Sequence, residues 1–183
     1  METKYANPGP LGLAAFGMTT ILLNLHNAGL FPVSAMIMVM GVFYGGTAQV
    51  IAGILEFKKG NTFGMLAFIS YGFFWIALVG TWVFPKLGFM AAPSAFEMGW
   101  FLAVWGLFSV FMTIGTLNSS RVLTFVFGSL DLLFLLLVIR DWTGNELVGR
   151  IAGWEGIVCG ASALYLAMAE MLADKHGKKL LPF

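Results

Sequence analysis

The sequence predicts an all-α, polytopic membrane protein of six transmembrane helices with both termini in the cytoplasm. Three observations carry the prediction. Only 10% of the 183 residues are charged while 59% are hydrophobic, against about 25% charged in an ordinary soluble domain. Six apolar runs, each close to one membrane thickness, divide the chain. The basic residues gather in alternate connections between those runs. With a mean hydropathy of +0.88, such a chain has too little polar surface to cover itself in water, and lipid is its natural solvent.

The runs cover 11–25, 33–55, 63–84, 96–117, 122–139 and 147–171. Their lengths are 15, 23, 22, 22, 18 and 25 residues, where about 20 span the hydrocarbon core as a helix. They are continuous rather than alternating, which favours helices over a membrane β-barrel. The first run is short enough for a signal peptide's apolar region. Only Lys4 is basic ahead of it, however, and Thr19, Thr20 and Asn24 interrupt it, so we read it as a retained helix. The breaks are Asn27-Ala28-Gly29, Lys58-Lys59-Gly60-Asn61, Pro85-Lys86, Asn118-Ser119-Ser120 and Asp141-Trp142-Thr143-Gly144-Asn145. None is long enough to hold a soluble domain, so 1–183 reads as a single membrane domain. No internal sequence repeat stands out.

Orientation follows from the positive charges. One side carries Lys4, Lys58, Lys59, Arg121, Lys175, Lys178 and Lys179, seven in all. The other carries Lys86, Arg140 and Arg150, three in all. Seven against three places both termini inside, and six spans give the same parity.

Several function classes are excluded or disfavoured. A net charge of +1 gives no electrostatic reason for nucleic acid as a partner. A lone Cys159 makes neither an intrachain disulfide nor a zinc cluster. The two histidines, His26 and His176, form no His-Glu-x-x-His pair. Gly160-Ala161-Ser162-Ala163 is not a nucleophile elbow. No enzymatic activity, metal or cofactor is expected.

Small residues four apart recur at Gly41 and Gly45, Gly149 and Gly153, Gly156 and Gly160, and Ala163 and Ala167. Such spacings let helix backbones approach closely in lipid, either within one chain or between subunits. Trp82, Trp100 and Trp142 fall near the outer helix ends and suit an interfacial belt, whereas Trp75, Trp105 and Trp154 lie deeper. His26 at the outer end of the first helix either bonds solvent or senses pH. The basic tail around His176 suits the inner membrane surface.

The first run opens on Asn7-Pro8-Gly9-Pro10-Leu11-Gly12-Leu13. A short helix with a Pro/Gly-broken start points to a transport site. Its free N–H groups are expected to attract a carboxylate; the alternative is a plain interfacial cap. That opening, followed by Gly17-Met18-Thr19-Thr20-Ile21-Leu22-Leu23-Asn24-Leu25-His26-Asn27, closely resembles the acetate–succinate permease family. Gly45-Gly46, Gln49, Glu56-Phe57-Lys58-Lys59-Gly60-Asn61-Thr62-Phe63-Gly64, Ser70-Tyr71-Gly72 and Gly115-Thr116-Leu117 extend the likeness along nearly the whole chain. The resemblance implies a six-helix transporter of acetate and succinate, assembled as a homohexamer with a pore in each protomer. It also implies a pore constriction at Phe16, Tyr71 and Leu130. This chain departs from the family in having Gly9 in the opening motif. Asp131 and Glu155 stand where the family is uncharged.

Acetate is almost wholly anionic at neutral pH, and burying a bare carboxylate costs several kcal/mol. No predicted span interior holds a lysine or arginine. Neutral donors must then serve, or the neutral acid must pass. Asn7, Thr20, Gln49 and Tyr71 are the expected substrate-binding residues, with Phe16 and Leu130 toward the methyl end. Without a midplane cation, binding should be weak and exit fast. Asp131 and Glu155 each lie eight residues inside the ends of adjacent antiparallel runs, roughly 12 Å deep at about 1.5 Å per residue. Buried carboxyls are functional candidates in membranes, and these two are expected either to share a proton or to face different neighbours. A channel for a small neutral solute such as ammonia or urea is the rival transport reading.

Overall fold

Each apolar run becomes one helix, and polar residues set most of its ends. A computed structural model describes residues 6–183, and among these there are six helices and no strand. They are α1 (Gly9–Asn27), α2 (Ala35–Lys58), α3 (Thr62–Lys86), α4 (Ala95–Thr116), α5 (Arg121–Thr143) and α6 (Glu146–His176). Five of them, all but α1, are long and apolar enough to cross a membrane. Lys4, counted above for orientation, lies outside the described residues.

Helix starts use side-chain oxygens to accept orphan N–H groups. Asn61 Oδ1 accepts from Gly64 N at 3.1 Å, Ser120 Oγ from Leu123 N at 3.1 Å, and Asn145 Oδ1 from Leu147 N at 3.0 Å. Ser94 and Glu97 form a reciprocal capping box at the head of α4. Gly144 (φ 68°) and Gly177 (φ 66°) stop α5 and α6 in the left-handed conformation.

Two expected breaks fall elsewhere. Pro85 and Lys86 lie inside α3, because helical bonding continues past them: Leu87 N donates to Val83 O at 3.1 Å. Asp141, Trp142 and Thr143 extend α5. Their polar groups are satisfied there, Arg140 pairing with Asp141 at 2.7 Å and Thr143 Oγ1 donating to Ile139 O at 2.6 Å.

Within α2, Met40–Ala48 winds as a π-helix. Thr47 Oγ1 reinforces it by donating five residues back to Val42 O at 2.9 Å. Wider turns rotate every later side chain relative to a regular 3.6-residue repeat. Gln49, the first residue beyond the π turns, is thereby buried.

The helices form a ring in which α1 joins α2 to α6, and neighbours in sequence pack together. Glycines set its tightest contacts. A Cβ on Gly160 would stand 2.7 Å from Gly17 O, and one on Gly17 would stand 2.5 Å from Gly160 O. Gly156 abuts Asn24, and Gly153 abuts the backbone at Ala28. In α2, a Cβ on Gly41 would stand 2.7 Å from the Val79 side chain, and one on Gly45 would stand 2.8 Å from that of Thr19. These small-residue spacings therefore serve packing within the chain. Between α3 and α4 the backbones stand farther apart, and rings fill the gap: Phe74 stacks on Phe101 at 5.7 Å and meets Trp105 edge-on at 5.3 Å. Phe43, Phe73, Leu107, Phe111 and Trp154 point outward and are exposed, as suits a surface solvated by lipid.

Gly160→Ala should lower the melting temperature in detergent, at a cost of about 1–3 kcal/mol for forcing two backbones apart. Gly128→Ala, where a Cβ meets open space, should be neutral or stabilising, since alanine favours helix by up to about 1 kcal/mol. Thermal melts of the two variants side by side check this.

Candidate functional site

Two cavities open into the helix ring. The first, about 350 Å³, is lined by Asn7, Gln49, Glu56, Lys59, Asn61, Glu170, Asp174 and apolar neighbours. The second, about 290 Å³, is lined by Thr20, Asn24, His26, Trp75, Arg140, Asp141 and a larger apolar wall. Three residues line both: Phe16 from α1, Tyr71 from α3 and Leu130 from α5. All three are buried, at 8%, 3% and 5% exposure. Phe16 and Tyr71 have ring centroids 6.2 Å apart. Tyr71 is further wedged by Phe108 at 5.5 Å and Phe127 at 6.1 Å.

The Tyr71 hydroxyl already has a partner within the protein. It donates to Ser109 Oγ on α4 at 3.1 Å. Between the cavities, then, Tyr71 offers ring carbon rather than a free proton. This differs from the expected donor role, and the reason is that a buried phenol takes the nearest buried acceptor.

The first cavity has a dense polar mouth. Glu56 is 2% exposed; its Oε2 accepts from Asn61 Nδ2 at 2.8 Å, and Lys59 Nζ lies 4.0 Å from its Oε1. Lys59 donates to Asn7 Oδ1 at 2.8 Å, and Asn7 Nδ2 donates to Glu170 Oε2 at 3.3 Å. Gly9 N also donates to Asn7 Oδ1 at 3.2 Å. Leu11 N and Gly12 N both donate to Pro8 O. The start of α1 thus has its N–H groups satisfied internally, contrary to the expected anion-attracting helix end. Asn7 lines the cavity with both ends of its amide engaged.

Other candidates are available for a ligand. Gln49 Oε1 in the first cavity, and Thr20 Oγ1 and Trp75 Nε1 in the second, are buried without a hydrogen-bond partner. Such atoms are costly unless something completes them. Asn24 is instead spent locally, its Nδ2 on Thr20 O at 2.9 Å and its Oδ1 on Asn27. His26 Nδ1 contacts Phe31 O at 2.9 Å, pinning the ring at the mouth of the second cavity. Lys59 and Arg140 are the cations on the two linings, one per cavity.

Asp131 and Glu155 line neither cavity. Asp131 Oδ2 accepts from Thr113 Oγ1 on α4 at 2.7 Å. Glu155 Oε1 accepts from the Ser129 hydroxyl on α5. Each carboxyl has a hydroxyl of its own, and each keeps one buried oxygen without a partner.

Glu56, Glu170 and Trp75 were not among the expected site residues. The acids sit near helix ends, where charge reads as an ordinary polar boundary. A deep tryptophan reads as core.

Apolar helices enclosing two cavities that share one aromatic waist define a multi-pass membrane protein built around a path. The chain belongs to the GPR1/FUN34/yaaH family, whose model matches residues 1–179. It is 57% identical over 181 residues to the Succinate-acetate/proton symporter SatP of Escherichia coli (strain K12), covering 99% of this chain and 96% of that one. A solved structure titled "Structure of the bacterial acetate channel SatP" matches with a TM-score of 0.97 at 56% identity, over 98% of this chain and 99% of that one. The Ammonia transport outward protein 2 of Saccharomyces cerevisiae is 37% identical over 174 residues, covering 91% of this chain and 61% of that one.

Replacing Asn61 by alanine removes both the cap of α3 and the hydrogen bond to buried Glu56. The expected cost is about 1–3 kcal/mol, visible as a lower melting temperature. Asn61→Ser should recover part of the loss by restoring the cap alone.

Proposed function

We propose that this protein carries acetate, with succinate as a further substrate, across the cell's inner membrane. The path runs through a single domain of six spanning helices, with both termini cytoplasmic and six copies assembling as a homohexamer. The observation that carries the reading is the sharing of Phe16, Tyr71 and Leu130 by two opposed cavities, in a chain closely similar to a succinate-acetate symporter and an acetate channel. The cavity holding Glu56 and Lys59 is the cytoplasmic one. It sits on the side of the excess basic residues, which is the inner side. The cavity holding His26 and Arg140 opens outward.

The geometry gives each part a task. Arg140 and His26 stand at the outer mouth, where a carboxylate arrives. Thr20 Oγ1 and Trp75 Nε1 supply unpaired donors below them. At the waist the lining is hydrocarbon, so the solute must shed water and turn its methyl end toward Phe16 and Leu130. Beyond it, Gln49 offers its amide to the carboxyl group. With no fixed cation at the waist, no deep well holds the anion, which suits conduction. Protonation removes the charge and suits proton-coupled passage equally.

Labelled-acetate flux into proteoliposomes, with voltage clamped by ionophore and an imposed pH gradient, tests the reading. Accumulation above simple acid diffusion supports proton coupling, whereas voltage-driven equilibration supports an anion channel. Flux no greater than in empty liposomes would sink the acetate reading. A small neutral solute is the second reading; the yeast relative named for ammonia transport and the cation-free waist favour it. Loss of ammonia flux in the presence of acetate places both solutes on one path.

Leu130→Ala opens the waist without touching a polar group. It should raise acetate flux several-fold and admit longer monocarboxylates that the parent protein excludes. Flux of a homologous series of labelled acids, from two carbons to four, provides the check.

A further inference from the structure

Asp131 lies off the path, yet it follows Leu130 in sequence and is tied to Tyr71 through α4. The Tyr71 hydroxyl donates to Ser109 Oγ at 3.1 Å. One turn further along α4, Thr113 Oγ1 lies 3.0 Å from Ser109 O and 2.7 Å from Asp131 Oδ2. A threonine hydroxyl has one proton and serves one of these acceptors at a time. An ionised Asp131 takes it, because bonds to charged acceptors are the stronger. A protonated Asp131 instead donates to Thr113 and sends the threonine proton back to Ser109 O. The charge state of Asp131 therefore sets the direction of hydrogen bonding one turn from the serine that holds the constriction tyrosine.

The surroundings leave that charge uncompensated. Asp131 Oδ1 has no partner. On α6 the titratable groups nearest it are Glu155 and Cys159, an acid and a thiol that bring no positive charge. The sole charged residue of α4 is Glu97, in its first turn. On α5 itself, Arg121 and Arg140 stand at the two ends. Tyr71, from α3, is within electrostatic range. Ser109 and Thr113 supply hydroxyls only.

We propose that Asp131 is a positioning residue for the constriction: an off-path carboxyl, held by Thr113 one turn from the serine that fixes Tyr71, whose negative charge raises the barrier that a carboxylate meets between the two cavities. This rests on the reading of Phe16, Tyr71 and Leu130 as the narrowest part of a carboxylate path. Neutralising Asp131 lowers the barrier for an anion and leaves it unchanged for a neutral solute of the same size. Glu155 is bound instead to Ser129, which precedes Leu130 in sequence and makes no contact with Ser109 or Thr113 among the hydrogen bonds of the described residues.

The test uses the full chain in proteoliposomes at clamped voltage. Acetate and acetamide fluxes are measured across pH above about 6, where acetate is almost wholly ionised. Asp131→Asn should speed acetate about tenfold at neutral pH, the order expected for one unit charge acting across a protein interior. It should also leave acetamide within about twofold. Thr113→Val keeps the charge but unties it, and should change acetate flux by less than Asp131→Asn does. An Asp131→Asn acetate flux equal to the parent's overturns the proposal, as does an equal rise in acetamide flux.

Infrared titration reads the same link without transport. A carboxylic-acid carbonyl band lost in Asp131→Asn should shift in Thr113→Val and in Tyr71→Phe, and a band indifferent to both overturns the link. Absence of acetate flux in the parent protein overturns the transport reading instead, and the infrared result then still decides whether Asp131 and Tyr71 are linked.

Discussion

The arrangement of this protein depends on the backbone contact between α1 and α6. Gly17 and Gly160 bring two carbonyls to within reach of each other's α-carbons, closer than any side chain allows. In lipid there is no hydrophobic force between helices, so association comes from van der Waals packing of this kind. The contact seats α1 in the ring between α6 and α2. Phe16, next to Gly17, then reaches the axis, and Thr20, one turn on, faces the second cavity. The one helix not long and apolar enough to qualify as a span by length and composition is thus packed chiefly against α6 and α2. Its polar residues Thr19, Thr20 and Asn24 are buried in protein, where hydroxyl and amide partners exist, instead of in hydrocarbon, where they do not.

From that placement follows a division of labour along the path. Polar groups lie in the two cavities, and carbon closes the middle. The polar groups also differ in kind. Around the first cavity the single lining cation, Lys59, is engaged with Glu56 and Asn7, and the acids Glu56, Glu170 and Asp174 outnumber it. In the second, Arg140 is paired with Asp141. Neither cation is a free binding site for an anion, and what remains uncommitted is neutral: an amide oxygen, a hydroxyl and an indole N–H. The hydroxyl and the indole N–H can donate to a carboxylate, and the amide oxygen can accept only from the protonated acid; two neutral donors hold an anion loosely, which matches a protein whose task is passage rather than capture.

The helices themselves were legible before any coordinates. Asn61, Ser94, Ser120 and Asn145 stand at the heads of apolar runs, and each proves to accept the hydrogen bond such a position requires. Pro85 misled, because a proline in the last turn of a membrane helix does not end it when later N–H groups still find acceptors. The π turns of Met40–Ala48 left no sequence signal beyond a cluster of glycines, and glycine clusters have many causes. Depth along a helix was readable by counting residues, so Asp131 and Glu155 were recognised as deep. Azimuth was not, since it depends on how helices rotate against one another. The two acids consequently turn to Thr113 and Ser129. The constriction residues came from resemblance alone: among 18 phenylalanines, no periodicity singles out Phe16. Tyr71 shows the same limit in another form, since its residue type suggested a donor and its orientation spends that donor on Ser109.

That spent hydroxyl matters for how selectivity arises. A waist of phenylalanine, leucine and the ring of a tyrosine discriminates by width and by the cost of dehydration, and it has no group with which to recognise a carboxylate. On the proposed reading, recognition lies in the cavities and the waist sets the rate. A charge near such a waist acts on the rate of anions without contacting them, because hydrocarbon does not screen it as water would. Carboxyls at membrane depth are expensive to maintain, and in this chain two are kept outside the path, each with a hydroxyl to hold it. Asp131 is the one whose hydroxyl sits on the same helix, one turn away, as the serine that fixes Tyr71. The geometry of α4, a single element carrying both Ser109 and Thr113, anchors the constriction tyrosine and the acid one helical turn apart.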